Sequence, residues 1–203
     1  IVITKNEAQR LSTCLASVAF ADELIVVDSG STDGTQALAR GLGARVIETA
    51  DWPGFGPQKQ RALDAASGDW VLSLDADEWI DATLAAAIRQ LLADDGGRPA
   101  ALQVDRLSAF CGQWMRAGSW YPDRLVRLFR RGQARFSDDQ VHERPVVSGE
   151  AGQTSWPTLP GRLLHNSIAS LHDGIEKMNR YTTGRALDLR RSGRGGGLGA
   201  ALT

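Results

Sequence analysis

Trp70-Val71-Leu72-Ser73-Leu74-Asp75-Ala76-Asp77-Glu78 is the stretch whose reading decides the fold. After the polar Gly68-Asp69, a near-continuous apolar run has the character of a parallel strand covered on both faces, and it ends in three closely spaced carboxylates. In open α/β sheets ligands bind beyond the carboxyl ends of the strands. Asp75 and Asp77 stand two residues apart, so both can point into one crevice there, and two such carboxylates repel unless a cation joins them. A hard divalent ion carrying a nucleotide's phosphates meets that need; an acidic turn capping the next helix is the structural alternative.

Upstream the same arrangement recurs. Ile1-Val2-Ile3 stops at Thr4-Lys5-Asn6-Glu7, and Leu11, Leu15 and Val18 follow at helical spacing. This predicts a strand-to-helix turn that offers backbone N–H groups and a helix N-terminus to a ligand, with Asn6 and Glu7 adding side-chain partners, or Asn6 simply capping the helix. Leu24-Ile25-Val26-Val27 is a second strand ending in Asp28-Ser29-Gly30-Ser31-Thr32-Asp33-Gly34-Thr35. Here Asp28 either accepts hydrogen bonds from a ribose or base or shapes the turn that Gly30 and Gly34 permit. The loop has neither the Gly-X-Gly-X-X-Gly of dinucleotide binders nor the Gly-Lys-Ser/Thr of a P-loop, which argues against both.

A helix over 35–40, a strand over 44–48, a loop over 51–57 and a helix over 58–66 complete the run. Lys59 and Arg61 lie near the start of that last helix, the wrong end for pairing with its dipole, which leaves a phosphate or solvent as their partner. Strictly alternating strands and helices with short connections predict a doubly wound, mainly parallel α/β sheet. Its strand ends bring Glu7, Asp28, Asp75 and Asp77 to one edge.

Thr4-Lys5-Asn6-Glu7, Val26-Val27-Asp28-Ser29-Gly30-Ser31-Thr32-Asp33-Gly34-Thr35 and the stretch from Trp70 to Glu78 resemble, in this order, the three N-terminal signatures of family 2 glycosyltransferases with the GT-A (Rossmann-like) fold. The likeness runs over roughly residues 1–190, and within the family the chain resembles bacterial lipopolysaccharide core β-1,4-glucosyltransferases. The resemblance implies an inverting hexosyltransferase, dependent on Mn²⁺ or Mg²⁺, that moves a sugar such as glucose from UDP-glucose to a lipopolysaccharide core or related glycan. It implies that Thr4, Asn6, Glu7 and Asp28 hold the nucleoside, that Lys59 stands near the donor, and that Asp75 and Ala76 face the nucleotide while Asp77 meets the metal. Gln60 departs from the Asn that relatives often carry.

In the second half, Leu84, Ile88, Leu91 and Leu92 mark a helix, and residues 94–99 are the clearest internal break. Strand-like runs at 101–107 and 125–129 predict antiparallel additions that form the acceptor side, where Trp114, Trp120 and Tyr121 either stack on a sugar or close a core. Arg124, Arg127, Arg130, Arg131 and Arg135 crowd one region; their spacing does not keep one strand face, so most are expected as solvated rim charge, with an anionic acceptor the other partner. An inverting transfer needs one base for the acceptor hydroxyl. Val141-His142-Glu143 resembles the family's catalytic acid segment, which implies Glu143 as that base, with Asp139 as second candidate and a salt bridge to Arg144 as the structural alternative. His165, ending Leu163-Leu164-His165, matches the family's C-terminal metal histidine, so the implied metal ligands are Asp77 and His165, with His142 a weaker alternative. His172 is expected to face solvent. Leu171, Ile175 and Met178 form a stripe on a last helix whose region carries Lys177, Arg180, Arg185, Arg190, Arg191 and Arg194. That helix either covers the sheet or meets an anionic membrane surface holding a lipid-linked acceptor.

The 203 residues carry a net charge of −1, which suits one domain and gives no basic excess for nucleic acid. We expect a single domain over 1–191, with a nucleotide-sugar half at 1–95, an acceptor half at 96–191 and a Gly-rich tail at 192–203. Two cysteines, Cys14 and Cys111, are too few for a disulfide framework and read as thiols in a reducing compartment. No membrane-spanning run or signal pattern is seen, so the expected location is cytoplasmic, peripheral at the inner face of the bacterial inner membrane. Both ends read as cut from a longer protein. Two other functions share the acidic strand ends. A sugar nucleotidyltransferase would want a Gly-rich basic N-terminal signature, which Thr4-Lys5-Asn6-Glu7 lacks; a sugar-nucleotide-binding domain would bind donor without turnover.

Overall fold

The apolar runs become, in chain order, β1 (Val2–Thr4), α1 (Leu11–Ser17), β2 (Ile25–Asp28), α2 (Thr35–Gly41), β3 (Arg45–Glu48), α3 (Phe55–Asp64), β4 (Trp70–Leu72), β5 (Leu74–Asp75), β6 (Glu78–Ile80), α4 (Ala82–Ala93), β7 (Ala101–Phe110), β8 (Gln113–Trp114), β9 (Asp123–Arg130), β10 (Ala134–Phe136), β11 (Pro145–Val147) and β12 (Thr158–Ile168). The computed structural model describes residues 1–94, 99–137, 143–148, 156–172, 174, 175, 177–179 and 182.

Strands β3-β2-β1-β5 form a parallel sheet in that order, and its register sets Thr4 beside Asp28 and Ile3 beside Asp75. The strand ends are therefore level, and the loops that follow them share one edge. Alternation divides the side chains between two cores. Val2, Val26 and Leu74 pack with Leu11 and Leu15 of α1, Ala39 of α2, and Leu84 and Ile88 of α4. Ile3, Ile25 and Val27 pack with Ala62 of α3 on the opposite face. The sheet is thus doubly wound as expected. At seven residues α1 is too short to persist alone, since isolated helices below about 12 residues are marginal. Burying Leu11 and Leu15, each worth roughly 2 kcal/mol, holds it in place.

The stretch from Trp70 to Asp75 differs from a simple parallel strand. Trp70–Leu72 pairs antiparallel with β9, and the Ser73 N–H continues that ladder to the Arg127 carbonyl at 2.9 Å. Leu74 and Asp75 pair parallel with β1 on the other side, the Leu74 N–H reaching the Ile1 carbonyl at 3.1 Å. One short segment therefore joins the parallel sheet to a second sheet of order β4-β9-β7-β12-β6, with β8 beside β7. In this second sheet β12 runs parallel to β7 and antiparallel to β6, so the antiparallel additions expected from the sequence are present but include one parallel pair.

Gly161 lets β12 pass under α4. Its φ is +98°, and a Cβ there would lie 2.2 Å from the Leu84 nitrogen and 2.7 Å from Asp81 Oδ1, the oxygen that caps α4. Neither backbone nor cap can retreat without unpacking Leu84. Gly161→Ala is expected to cost on the order of 3 kcal/mol, read as a lower denaturation midpoint with unchanged slope.

Candidate active site

Helix α3 starts three residues earlier than its sequence pattern suggests, at Phe55 rather than residue 58, so Gln58, Lys59 and Gln60 stand in its second turn. Each of the three holds a different element. Gln58, fully buried, donates to Ser29 Oγ at 2.9 Å and Thr49 Oγ1 at 2.7 Å, fixing the segments after β2 and β3. Gln60 Oε1 accepts from the Phe136 N–H at 2.8 Å, docking the β10–β11 hairpin. Lys59, only 2% exposed, places its ammonium 2.6 Å from Asp75 Oδ1 and 2.6 Å from Glu143 Oε1. The expectation of a solvated cation holds for Arg61, which pairs with Asp51 at the surface, but not for Lys59.

The Asp75 carboxylate has a second cation. Arg127 Nη2 lies 2.9 Å from Asp75 Oδ2 and 2.7 Å from Glu78 Oε1. Glu78 has no exposed surface; its other oxygen accepts the Asp75 N–H at 3.0 Å and so shapes the turn that carries Asp75 to Asp77. Arg106 reaches Glu78 at 3.3 Å and Asp123 at 2.8 Å, extending the network to the edge of β9. Burial would raise the Asp75 carboxyl, but Lys59 and Arg127 outweigh it and hold the group well below the usual carboxylate range. Burial likewise opposes the charge on Lys59, yet Asp75 and Glu143 raise its pKa above the ordinary lysine value. Two buried donors of this region, Arg127 Nε and Ser73 Oγ, have no hydrogen-bond partner among the described residues.

The loops after β1 and β2 bond to one another. Thr4 Oγ1 donates to Asp28 at 2.8 Å, the Asn6 N–H to Ser31 Oγ at 2.8 Å, the Glu7 N–H to Thr35 Oγ1 at 2.9 Å and the Ala8 N–H to Asp33 at 3.0 Å, while Asn6 Oδ1 accepts from the Thr32 N–H at 2.8 Å. Residues 4–7 are therefore not the open helix N-terminus expected from the sequence: α1 begins only at Leu11, and the N–H groups of residues 6–8 are already satisfied. Asn6, at φ +58°, joins the loops rather than capping the helix. Asp28 is fully buried and also accepts from Gly30, Ser31 and Gln36, the geometry of the turn-shaping alternative. Asn6, Glu7, Gln9, Arg10 and Asp33 line a cleft of about 210 Å³ above these loops. Burial raises the Glu7 carboxyl; Arg10 opposes this and the negative charge of Asp77 adds to it.

Ala76 packs into the apolar core, so only its backbone can meet a ligand. Asp77 Oδ2 lies 3.5 Å from His165 Nε2, and the other ring nitrogen, Nδ1, is within 3.0 Å of Ser108 Oγ. Antiparallel pairing of β6 with β12 sets His165 beside Glu78 and explains the meeting. Burial would raise the Asp77 carboxyl, but its hydrogen bond to His165 and the charges of His165 and Lys177 lower it. Among the described residues no group of three or more His, Cys, Asp or Glu side chains gathers to hold a metal; Asp77 and His165 are the pair that meets here.

The sequence signature described as "Glycosyl transferase family 2" matches residues 1–144. The chain belongs to glycosyl transferase family 2. It is 34% identical over 199 residues to the lipopolysaccharide core biosynthesis glycosyltransferase LpsC of Rhizobium meliloti, covering 95% of this chain and 72% of that protein. It is 32% identical over 202 residues to an uncharacterized glycosyltransferase of Rickettsia typhi, covering 95% and 68%. A crystal structure of S. aureus TarS, residues 1–349, superposes with a TM-score of 0.53 at 16% identity over 90% of this chain, which spans 63% of that one, and supports the GT-A fold alone.

In this family 2 glycosyltransferase, Lys59 joins Asp75 to Glu143 and Asp77 meets His165, and Arg127, Glu78 and Ser108, to which the sequence assigns no role there, contact these residues. Arg127 reads as rim charge in sequence, yet it is buried, at the bulge where β9 carries one residue more than β7 between Val126 and Leu128. Arg124, Arg131 and Arg135 are exposed, and Arg130 lies over the Trp70 ring. Trp114 meets Trp79 edge-on at 6.0 Å; Trp79 alternates with Glu78, so this pair sits on the sheet face turned from Glu78. Trp120 meets Phe110, and Arg162 covers Tyr121. Leu171, Ile175 and Met178 are 70%, 59% and 63% exposed and do not cover the sheet. Cys14 is buried and Cys111 exposed, both free. Asp139, His142, Arg180 and the tail lie outside the described residues.

Removing Arg127 leaves one oxygen of Asp75 unpaired and Glu78 with only the longer contact to Arg106, so Arg127→Met is expected to cost roughly 3 kcal/mol, against under about 0.5 kcal/mol for Arg124→Ala, both by urea denaturation. The pH signs also follow. Asp75, depressed in the fold, stabilises above its unfolded value of about 3.9 and loses this as pH falls through its lower folded value. Lys59, raised in the fold, stabilises below about 10.4 and loses this as pH rises further. Stability from this pair should be flat between roughly pH 4 and 10, and Asp75→Asn should flatten the acid limb of stability measured from about pH 5 to 2.

Proposed function

We propose that this glycosyltransferase moves a sugar, glucose in our reading, from its UDP-sugar to a lipopolysaccharide core or related glycan with inversion. The observation that carries this reading is the Lys59 ammonium, which ties the first carboxylate of the Asp-X-Asp motif to Glu143 at 2.6 Å each. The donor edge and a candidate base thus share one crevice. Thr4, Asn6, Glu7 and Asp28 belong to the interlocked loops that form the nucleoside floor, with Glu7 lining the cleft and Asp28 and Thr4 acting through loop shape.

Glu143 takes the proton of the acceptor hydroxyl as its oxygen attacks the anomeric carbon and the bond to the diphosphate breaks. Lys59 holds one Glu143 oxygen in place while the other receives the proton. Asp77 and His165 would hold Mn²⁺ or Mg²⁺, because Ser108 contacts one ring nitrogen and leaves Nε2 facing the carboxylate. When bound, the ion supplies positive charge to the departing diphosphate. The LpsC relative supports the lipopolysaccharide acceptor. No helix among the described residues is long and apolar enough to cross a membrane; the exposed Leu171, Ile175 and Met178 beside Lys177 suit peripheral contact with an anionic surface presenting a lipid-linked acceptor at the cytoplasmic face.

Glu143→Gln keeps an oxygen for Lys59 but cannot act as base. Calorimetric titration with UDP, against GDP and CDP, in Mn²⁺ and in EDTA, should show metal-dependent preference for UDP that the variant retains within about twofold, while transfer falls at least about 10²-fold. Near-normal transfer by folded Glu143→Gln would remove Glu143 from the base role.

A further inference from the structure

The Asp77 carboxylate already has a cation. Lys177 Nζ lies 3.3 Å from Asp77 Oδ2, the oxygen that also faces His165 Nε2, and donates in addition to the Ser167 carbonyl. The arrangement is built from two sides. The Asn166 N–H donates to the Asp77 carbonyl at 3.0 Å, which joins the end of β12 to the Asp-X-Asp turn, and Lys177 returns from the following helical residues to contact both. Its side chain is only 22% exposed, far from the solvated state usual for lysine.

A divalent ion held by Asp77 and His165 would sit about 2.0–2.3 Å from the same oxygen. An ammonium 3.3 Å from that oxygen then faces a doubly charged neighbour at close range, and both draw on the same lone pairs. We propose that Lys177 competes with the divalent cation for Asp77, so that metal entry requires the ammonium to withdraw, and that Lys177 thereby sets the metal concentration at which the donor site fills. The inference rests on the metal assignment made above and adds a positioning residue that acts through Asp77. The Ser167 carbonyl gives the lysine a second anchor, which couples its withdrawal to the chain that follows β12.

The test is Mn²⁺ binding followed by electron paramagnetic resonance at fixed UDP, on the full chain and on Lys177→Met, Lys177→Arg, Asp77→Asn and His165→Ala, each first shown to be folded by a cooperative thermal transition. Competition predicts that Lys177→Met binds Mn²⁺ on the order of tenfold more tightly than the unaltered chain, that Lys177→Arg stays near it, and that Asp77→Asn and His165→Ala bind more weakly. Equal affinity in Lys177→Met would overturn the competition while leaving the metal site standing. Weaker affinity would also overturn it, making Lys177 a partner of the diphosphate. If Asp77→Asn and His165→Ala bind Mn²⁺ as well as the unaltered chain, the metal assignment itself fails and takes the competition with it.

Discussion

A buried ammonium governs this molecule. Lys59 sits in the second turn of α3 with almost no solvent contact, and removing a charge from water costs several kcal/mol unless partners compensate it. Asp75 and Glu143 are those partners, one from the parallel sheet and one from beside β11, and neither is near the other in sequence. The flanking residues serve the same end: Gln58 and Gln60 fix α3 to the loop after β2 and to the β10–β11 hairpin. Three consecutive helix positions therefore bring three separate pieces of chain to one point, and the ion pairs lock them there. The network continues through Arg127 and Glu78 to Arg106 and Asp123, so its members stand or fall together.

The two sides of the crevice are built differently. On the side proposed for the nucleoside, Thr4, Asn6, Glu7, Ser31, Thr32, Asp33 and Thr35 take part in hydrogen bonds that tie the two loops, with Asp28 buried beneath. On the Asp77 side, the contacts to His165 and Lys177 are 3.5 and 3.3 Å, longer than good charge-assisted hydrogen bonds at about 2.7–2.9 Å. On the proposed reading the interlocked loops suit recognition of a base and ribose, and the longer contacts at Asp77 suit a cation that enters and leaves with the diphosphate.

What can be read from the sequence is local. Strand ends, acidic turns and the order of the first four strands follow from apolar periodicity and turn residues, and these already bring Glu7, Asp28, Asp75 and Asp77 to one edge. Features that depend on distant chain are not legible. The change of sheet at Ser73 arises because β9 and β1 flank the segment at different positions, and nothing within Trp70 to Asp75 marks it. Arg127 resembles its neighbouring arginines until β9 is placed; its burial comes with a bulge against β7 that no local pattern marks. Gly161 has no local signature either, since its need for a missing side chain is set by Leu84 and Asp81 on another element. The late start of α1 shows a local pattern overruled: the second loop supplies oxygens to the N–H groups of residues 6–8 and holds them out of the helix.

Charge balance connects the network to the metal edge. The cluster at Asp75 holds three cations, Lys59, Arg127 and Arg106, against four carboxylates, Asp75, Glu78, Glu143 and Asp123. Its positive charge is already matched from within, and its cations are directed at carboxylates rather than outward. A diphosphate entering beside it brings further negative charge into a partly buried space, which Asp77 and Glu7 make more negative still. On the proposed reading this charge is balanced from the Asp77 edge, by a divalent ion that Asp77 and His165 retain or by Lys177 until that ion arrives. The same internal balance suits Glu143 to its proposed role as base. On that reading Lys59 keeps one Glu143 oxygen oriented, and the other is left to meet the acceptor hydroxyl.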